Sequence, residues 1–321
     1  MNLSTNGILD NPALYDLERR LVEDEQILSD YIQSRFEAYV DRHESEYKYI
    51  RTIRLEFFPY KYICDYRGRR PKAVDGVRRL SFIYCIKSRS ARTRISLTSL
   101  TRAYENYLAS SPRAAFIEVE LLLVEDISGD LLPRFPLLGA NRFISHYLVD
   151  TKVEWTRSGL LNYGLKRATG DAIAFCDVDF LFHRDFFFAL EKTTARVDFD
   201  KDVLVVNCFE TEGHVRDLAY SRLSPYGYMW VVGRRNATSI GGFNEEYKGH
   251  GFEDRDFEYR LVNSLGLAVV NSHCLDPSLA VLHFSHNVRT GLQERGANQN
   301  KFINIGKTAS PVQHRWGNKG W

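Results

Sequence analysis

The sequence predicts an α/β protein: a mainly parallel sheet with helices on both faces, behind an N-terminal helical extension over residues 1–78. Three observations carry this. After residue 79, β-rich apolar runs alternate with segments of helical period, as crossover-connected parallel strands require. Asp126, Asp177 and Asp179 fall at the ends of such runs, the edge where open α/β sheets bind ligands. From Leu14 to Tyr39, by contrast, the period is helical throughout.

Taken in order, Asn11-Pro12 is a helix start, a capping side chain ahead of a proline whose missing N–H is no loss there. Leu14, Leu17, Leu21, Leu28, Ile32, Phe36 and Tyr39 follow at helical spacing, predicting one long amphipathic helix or a helical pair. Its plain role is packing on the main domain; contact in a homo-oligomer is the sharper alternative. LSFIYCIK (80–87) is the first strand, and a helical segment runs from Ile95 to Leu108. FIEVELLLVED (116–126) is a second strand. SGLLNYGLKRATG (158–170) reads as a helix stopped by glycine, and DAIAFCDVD (171–179) as the strand after it. Beyond about residue 195 the pattern loosens. DVLVVNCFE (202–210) and GYMWVVGR (227–234) are strands, and IGGFNEEYKGHG (240–251) is a glycine-rich loop. EDRDFEYRLVNSL (253–265) is a helix with acids at its positive end, and LAVLHFSH (279–286) closes the ordered pattern.

Composition excludes several functions. The formal net charge of +2 argues against a nucleic-acid partner. The basic run RGRRPKAVDGVRR (67–79) is a solvated linker or a contact for lipid headgroups or acidic glycans. The five cysteines are scattered without metal-like spacing, which predicts reduced thiols. The first residues lack a basic stretch followed by an apolar core, and no apolar run reaches the ~18 residues of a membrane span. The expected location is therefore cytoplasmic, with membrane contact at most peripheral.

Three constellations carry chemistry. Asp177 and Asp179, one residue apart in an extended segment, share a face and can address one ligand; oxygen donors of this kind suit Mn²⁺ or Mg²⁺. The bland reading is a solvated loop start. In GGFNEEYKGHGFEDRDFEYRL (241–261), glycines frame a tight loop that feeds Glu253 and Asp254 into a helix start, where the helix dipole favours ionised carboxylates. The alternative there is ordinary N-terminal helix acids. His283 and His286, three apart as an apolar strand gives way to a polar loop, can close a metal site or sit as satisfied core histidines. Trp155, Tyr226, Tyr228 and Trp230 offer faces for sugar rings or simply pack in strands.

Together these residues resemble the metal-dependent inverting glycosyltransferases of GT-A fold, a Rossmann-like, nucleotide-sugar-binding mixed sheet flanked by helices. The nearest likeness is to the β-1,4-galactosyltransferase group and the galactosaminyltransferase domains of bacterial chondroitin-type polymerases. RSGLLNYGLKRATGDAIAFCDVDFLF (157–182) resembles that group's helix and DVD strand, and IGGFNEEYKGHGFEDRDFEYRL (240–261) its loop and acidic helix start. HFSH (283–286) stands where its last metal ligands stand, and YCIKSRS (84–90) resembles its nucleotide-side first strand. The likeness covers roughly residues 80–305. It implies a domain over 79–321, with a nucleotide-sugar half (79–195) and an acceptor half (196–321).

The resemblance implies roles. Asp179, His286 and His283 bind the metal, Mn²⁺ with Mg²⁺ as the alternative; Asp177, Asp126, Arg89, Arg157 and Trp230 hold the donor; Asp254 is the base and Glu253 its neighbour. It implies a UDP-sugar donor, with UDP-galactose or UDP-N-acetylgalactosamine favoured. The acceptor is an oligosaccharide or lipid-linked glycan of bacterial surface polysaccharide. Arg255 interrupts what is often a third acid, while His250 and Phe252 stand where that loop often has tryptophan and glycine. His283 stands where the animal enzymes have methionine. The competing readings are a retaining transferase, whose metal strand tends to carry Asp-x-His, a nucleotidyltransferase, and a non-catalytic nucleotide-sugar or glycan-binding module, which tolerates loss of the Glu-Asp pair.

Overall fold

The computed structural model describes residues 12–40, 77–110, 117–128, 143–151, 156–210, 229–248, 251–272, 275–276, 278–283 and 297. Among these, nine strands form one sheet in the order β3-β2-β1-β4-β7-β6-β9-β5, with β8 alongside β6. Strands β1 (Arg79–Ile86), β2 (Glu118–Asp126), β3 (Ile144–Val149) and β4 (Ala172–Cys176) are mutually parallel. Every residue of β1 after Arg79 is buried, the near-continuous apolar run of a strand covered on both faces. Strand β7 (Met229–Gly233) runs antiparallel between β4 and β6 (Asp202–Glu210), which restores the parent direction. Strands β8 (Ala268–Asn271) and β9 (Ala280–His283) follow β6 in parallel, and β5 (Phe180–Phe182) pairs antiparallel with β9. The carboxyl ends of β1, β2, β4, β6 and β9, and the amino end of β5, therefore share one edge.

The helices are α1 (Pro12–Glu23), α2 (Glu25–Val40), α3 (Ser90–Ser110), α4 (Arg157–Arg167), α5 (Phe186–Thr194), α6 (Arg234–Ser239) and α7 (Glu253–Leu265). The N-terminal period resolves as a pair. Asp24 ends the first helix and caps the second, its Oδ1 accepting from the N–H groups of Gln26 (2.8 Å) and Ile27 (3.1 Å). The pair packs on the sheet domain through Leu21, Leu28 and Ile32. Among the described residues, no helix is long and apolar enough to cross a membrane. Cys85, Cys176 and Cys208 are free and buried, and burial pushes the Cys85 thiol up to about 12, so it stays protonated. Cys64, Cys274 and residues 67–76 of the basic run lie outside the described residues.

Strands β1, β2 and β6 and helix α7 form where the sequence predicts them. Helix α4 does not end on glycine: it ends at Arg167, with Ala168 extended as its C-cap. Gly170 serves a different purpose, because a Cβ there would lie 2.6 Å from Ser81 Oγ and 2.7 Å from Ser81 N. It lets β4 start hard against β1.

Candidate functional site

The common edge gathers the acids into two centres rather than one. Strand β4 ends at Cys176 and the chain turns at Val178 and Asp179, so Asp177 and Asp179 do not share a face as an extended segment would have them. Their partners differ accordingly.

Asp179 is 2% exposed. Its Oδ2 accepts from Arg89 Nη1 at 3.1 Å, and its Oδ1 lies 3.3 Å from His283 Nε2. Arg89 reaches it from the loop after β1, where Ser88 (φ 60°) and Arg89 (φ 64°) both take left-handed backbone conformations unusual for residues with a Cβ. His283 arrives from β9, directly opposite Phe180. The oxygen–nitrogen separation fits two adjacent ligands each about 2.1 Å from one divalent ion. Among the described residues no group of three His, Cys, Asp or Glu side chains forms a metal cluster, and His286 lies outside them. Asp179 and His283 thus suit a hard or borderline cation as two ligands that leave other positions open.

The second centre is organised by Arg157, the first residue of α4, behind the N-cap Thr156 whose Oγ1 accepts from Gly159 N at 3.1 Å. Arg157 Nη2 donates to Asp177 Oδ1 at 2.5 Å and Nη1 to Glu253 Oε1 at 3.2 Å. Burial works against its charge, but Asp177 and Glu253 outweigh it and raise the guanidinium above its ordinary value. Glu253 is 4% exposed. Its burial, reinforced by the charge of Asp254, pushes its carboxyl up to about 7 even though Arg157 pulls the other way. Asp254 is only partly buried, and its Oδ1 accepts from Arg255 N at 2.8 Å.

Packing fixes the acidic helix start to the DVD strand. Phe257 of α7 stacks on Phe243 of the loop at 4.2 Å, and both meet Phe175 of β4 edge-on at 5.4 and 4.9 Å. Asn162, in the middle of α4, donates to Phe243 O and Glu245 Oε1 and accepts from Phe243 N, each at 2.8 Å. Gly242, at φ 69°, allows this approach, since a Cβ would stand 2.3 Å from Asn162 Oδ1. Phe252 keeps the left-handed backbone (φ 71°) that a glycine takes easily, and it stands where the resembled family often has glycine.

Two residues expected at the donor are engaged by protein neighbours. Asp126 is fully buried, its oxygens accepting from Ser128 N and Thr151 Oγ1 at 2.9 Å each, with Lys87 Nζ at 3.7 Å. Burial alone would raise its carboxyl, but these partners hold it below its ordinary value. It ties together the ends of β1, β2 and β3. Trp230, 4% exposed on β7 opposite Phe175 and Val205, is a core residue; a strand flanked on both sides buries its indole, so it presents no face to a sugar. Trp155, Tyr226, Tyr228 and His250 lie outside the described residues. The bridging geometry of Arg157 and the Asn162 anchor were not foreseen. An asparagine on the otherwise apolar side of a helix was the available signal for the latter.

Comparison with known proteins agrees with this architecture. Residues 183–285 match the family described as glycosyltransferase like family 2. No protein of curated function matches by sequence. A mannosyltransferase from Pyrobaculum calidifontis, solved with GDP-mannose and Mn²⁺, superposes with a TM-score of 0.55 at 15% identity, over 88% of this chain and 76% of that one. GalNAc-T7, solved with UDP, GalNAc and Mn²⁺, gives 0.50 at 12% identity, over 72% of this chain and 48% of that one. The catalytic domain of Drosophila β1,4-galactosyltransferase 7 with xylobiose gives 0.44 at 14% identity, over 70% and 80%. The fold is that of the GT-A glycosyltransferases.

Proposed function

We propose that the chain is a metal-dependent inverting glycosyltransferase that moves a hexose or N-acetylhexosamine from a UDP-sugar to a glycan hydroxyl, forming a β-linkage. The observation that carries this reading is the grip of Arg157 on both Asp177 and Glu253, which joins the DVD and Glu-Asp motifs although they lie far apart in the chain. GDP-mannose with Mn²⁺ in the mannosyltransferase structure, and UDP, GalNAc and Mn²⁺ in the GalNAc-T7 structure, support a nucleotide-sugar donor and a divalent ion. UDP-galactose or UDP-N-acetylgalactosamine is the assigned donor. The acceptor is an oligosaccharide or lipid-linked glycan of bacterial surface-polysaccharide synthesis. Residues 79–321 are the transferase unit and residues 1–78 its extension.

In this reading Asp179 and His283, with His286, hold the divalent ion, and Arg89, Arg157 and Asp177 orient the donor. The bound ion supplies Lewis-acid neutralisation of the charge that grows on the departing diphosphate. Asp254 accepts the proton of the attacking hydroxyl on the opposite face of the sugar, and displacement from that side inverts the anomeric centre. Glu253, buried and pinned to Arg157, has its carboxyl pushed up to about 7, so part of it carries a proton at neutral pH and it serves beside Asp254 as a neighbour that orients sugar. The test is a donor screen that measures nucleotide release from UDP- and GDP-sugars with and without Mn²⁺, followed by anomer assignment of the product by NMR. Absence of turnover with every donor and a broad acceptor panel would overturn the activity; a retained anomer would overturn the mechanism.

A further inference from the structure

Helices α1 and α2 lie outside both the family resemblance and the matched segment 183–285, yet they cover one particular part of the sheet. Leu21, Leu28 and Ile32 pack with Ile95, Leu181 and Leu282 in an apolar cluster separate from the main core. Leu181 is the middle residue of β5 and Leu282 belongs to β9, so the helices rest on the strands that present Asp179 and His283. On their other face Phe180, Phe182 and Val281 join the main core, but the strands' own pairings are short. They share three residue pairs, β9 joins β6 over four, and β5 is the outermost strand, its Phe182 N–H donating to Ser99 Oγ at 3.2 Å. Pairings this short are marginal without an apolar cover. The cover is itself tied down. Glu18 pairs with Arg92 at 2.6 Å, Glu25 with Arg102, and Gln33 Oε1 with His183 Nε2 at 2.7 Å, just beyond the end of β5.

We propose that the α1–α2 pair is a positioning element for the candidate metal ligands, its apolar face clamping β5 and β9 so that Asp179 and His283 keep their spacing. This rests on the assignment of those two residues as ligands. The test uses the full chain carrying Leu28→Ala, with Leu165→Ala, in the main core, as the control. Two readouts avoid turnover: hydrogen exchange of the β5 and β9 amides, and Mn²⁺ affinity measured by electron paramagnetic resonance without nucleotide. Leu28→Ala should speed exchange at residues 180–182 and 280–283 by about tenfold while β1 and β2 stay protected. It should weaken Mn²⁺ binding about tenfold, the size of loss seen when supports behind metal ligands are removed. Leu165→Ala should do neither, and the volume-conserving Leu28→Met should restore both. Should Leu28→Ala fail to fold, Ile32→Val removes a single methylene from the same face with the same directions expected. Unchanged exchange in β5 and β9, or equal loss of Mn²⁺ affinity in both core variants, overturns the clamp. A wild-type protein that binds no Mn²⁺ overturns the ligand assignment instead, and the exchange data then decide the clamp alone.

Discussion

Asp177 and Asp179 stand one valine apart and belong to different electrostatic regions. Asp179 sits 2% exposed between an arginine from β1's loop and a histidine from β9, so its surroundings are assembled from both ends of the sheet domain. Asp177, with a side chain 26% exposed, answers to Arg157, which it shares with a buried glutamate at the start of α7. One centre is a buried carboxylate between a guanidinium and an imidazole. The other is a carboxylate–guanidinium–carboxylate bridge in which burial and the charge of Asp254 raise the Glu253 carboxyl against the pull of Arg157. The contrast teaches that an Asp-x-Asp pair need not act as a pair, because a single turn after β4 is enough to send the two acids to separate work.

The sharpest way to break this division is Asp254→Asn. Removal of a general base should cut turnover by about 10²–10⁴-fold, while Mn²⁺ and UDP affinities measured by calorimetry stay as in wild type. Next comes Asp179→Ala, which should lower Mn²⁺-dependent UDP affinity by about 10²-fold and leave the Glu253 titration in place; equal UDP affinity with and without the variant would end the ligand role. Arg157→Gln attacks the other centre. Leaving Asp177 and Glu253 without their shared cation should cost roughly 3 kcal/mol in denaturant unfolding.

The same bridge predicts a pH signature. Glu253 titrates at about 7 in the fold against an ordinary 4.5, so the folded state holds its proton more tightly than the unfolded chain. Its contribution to stability is therefore full below pH 4.5 and is lost as pH rises through about 7. Glu253→Gln should flatten that slope, and Arg157→Gln should move the inflection to higher pH, because Arg157 is the group that favours the ionised form. The smallest expected effect is Ser88→Gly. Relief of a left-handed backbone, partly offset by the freedom glycine gains in the unfolded chain, should stabilise by less than about 1 kcal/mol in thermal unfolding.

Legibility in the sequence followed the range of the physics involved. Strands β1, β2 and β6 were readable because their apolar runs are long, and α7 because its acids open a periodic segment. Strands β5 and β8 span three and four residues, too few to show a period, and they were not foreseen. Edge strand β3 is mostly part-exposed and lacks a clean alternation, while α5 opens on three phenylalanines that favour strands as readily as helices. Of the site, the acids and His283 were visible as residue types at strand or helix ends. The turn at Val178–Asp179 and the burial of Trp230 depend on neighbours distant in the chain. So does the reach of Arg157 to a partner 96 residues away, which a local pattern cannot encode.

The left-handed residues have a consequence for anyone recasting this scaffold. Ser88, Arg89 and Phe252 are the non-glycine residues with positive φ among those described, and they adjoin the two acidic centres, Arg89 pairing with Asp179 and Phe252 preceding Glu253. A redesign scored on stability would write glycine at 88 and 89, gaining backbone ease and deleting the guanidinium that faces Asp179. Phe252 resists the same edit, because its ring is buried and carries Arg255 at 5.0 Å. Thermostabilised descendants of this chain would thus tend to keep the start of α7 and change the loop after β1, and the order in which the two segments drift toward glycine would record which of the two centres had come under relaxed selection.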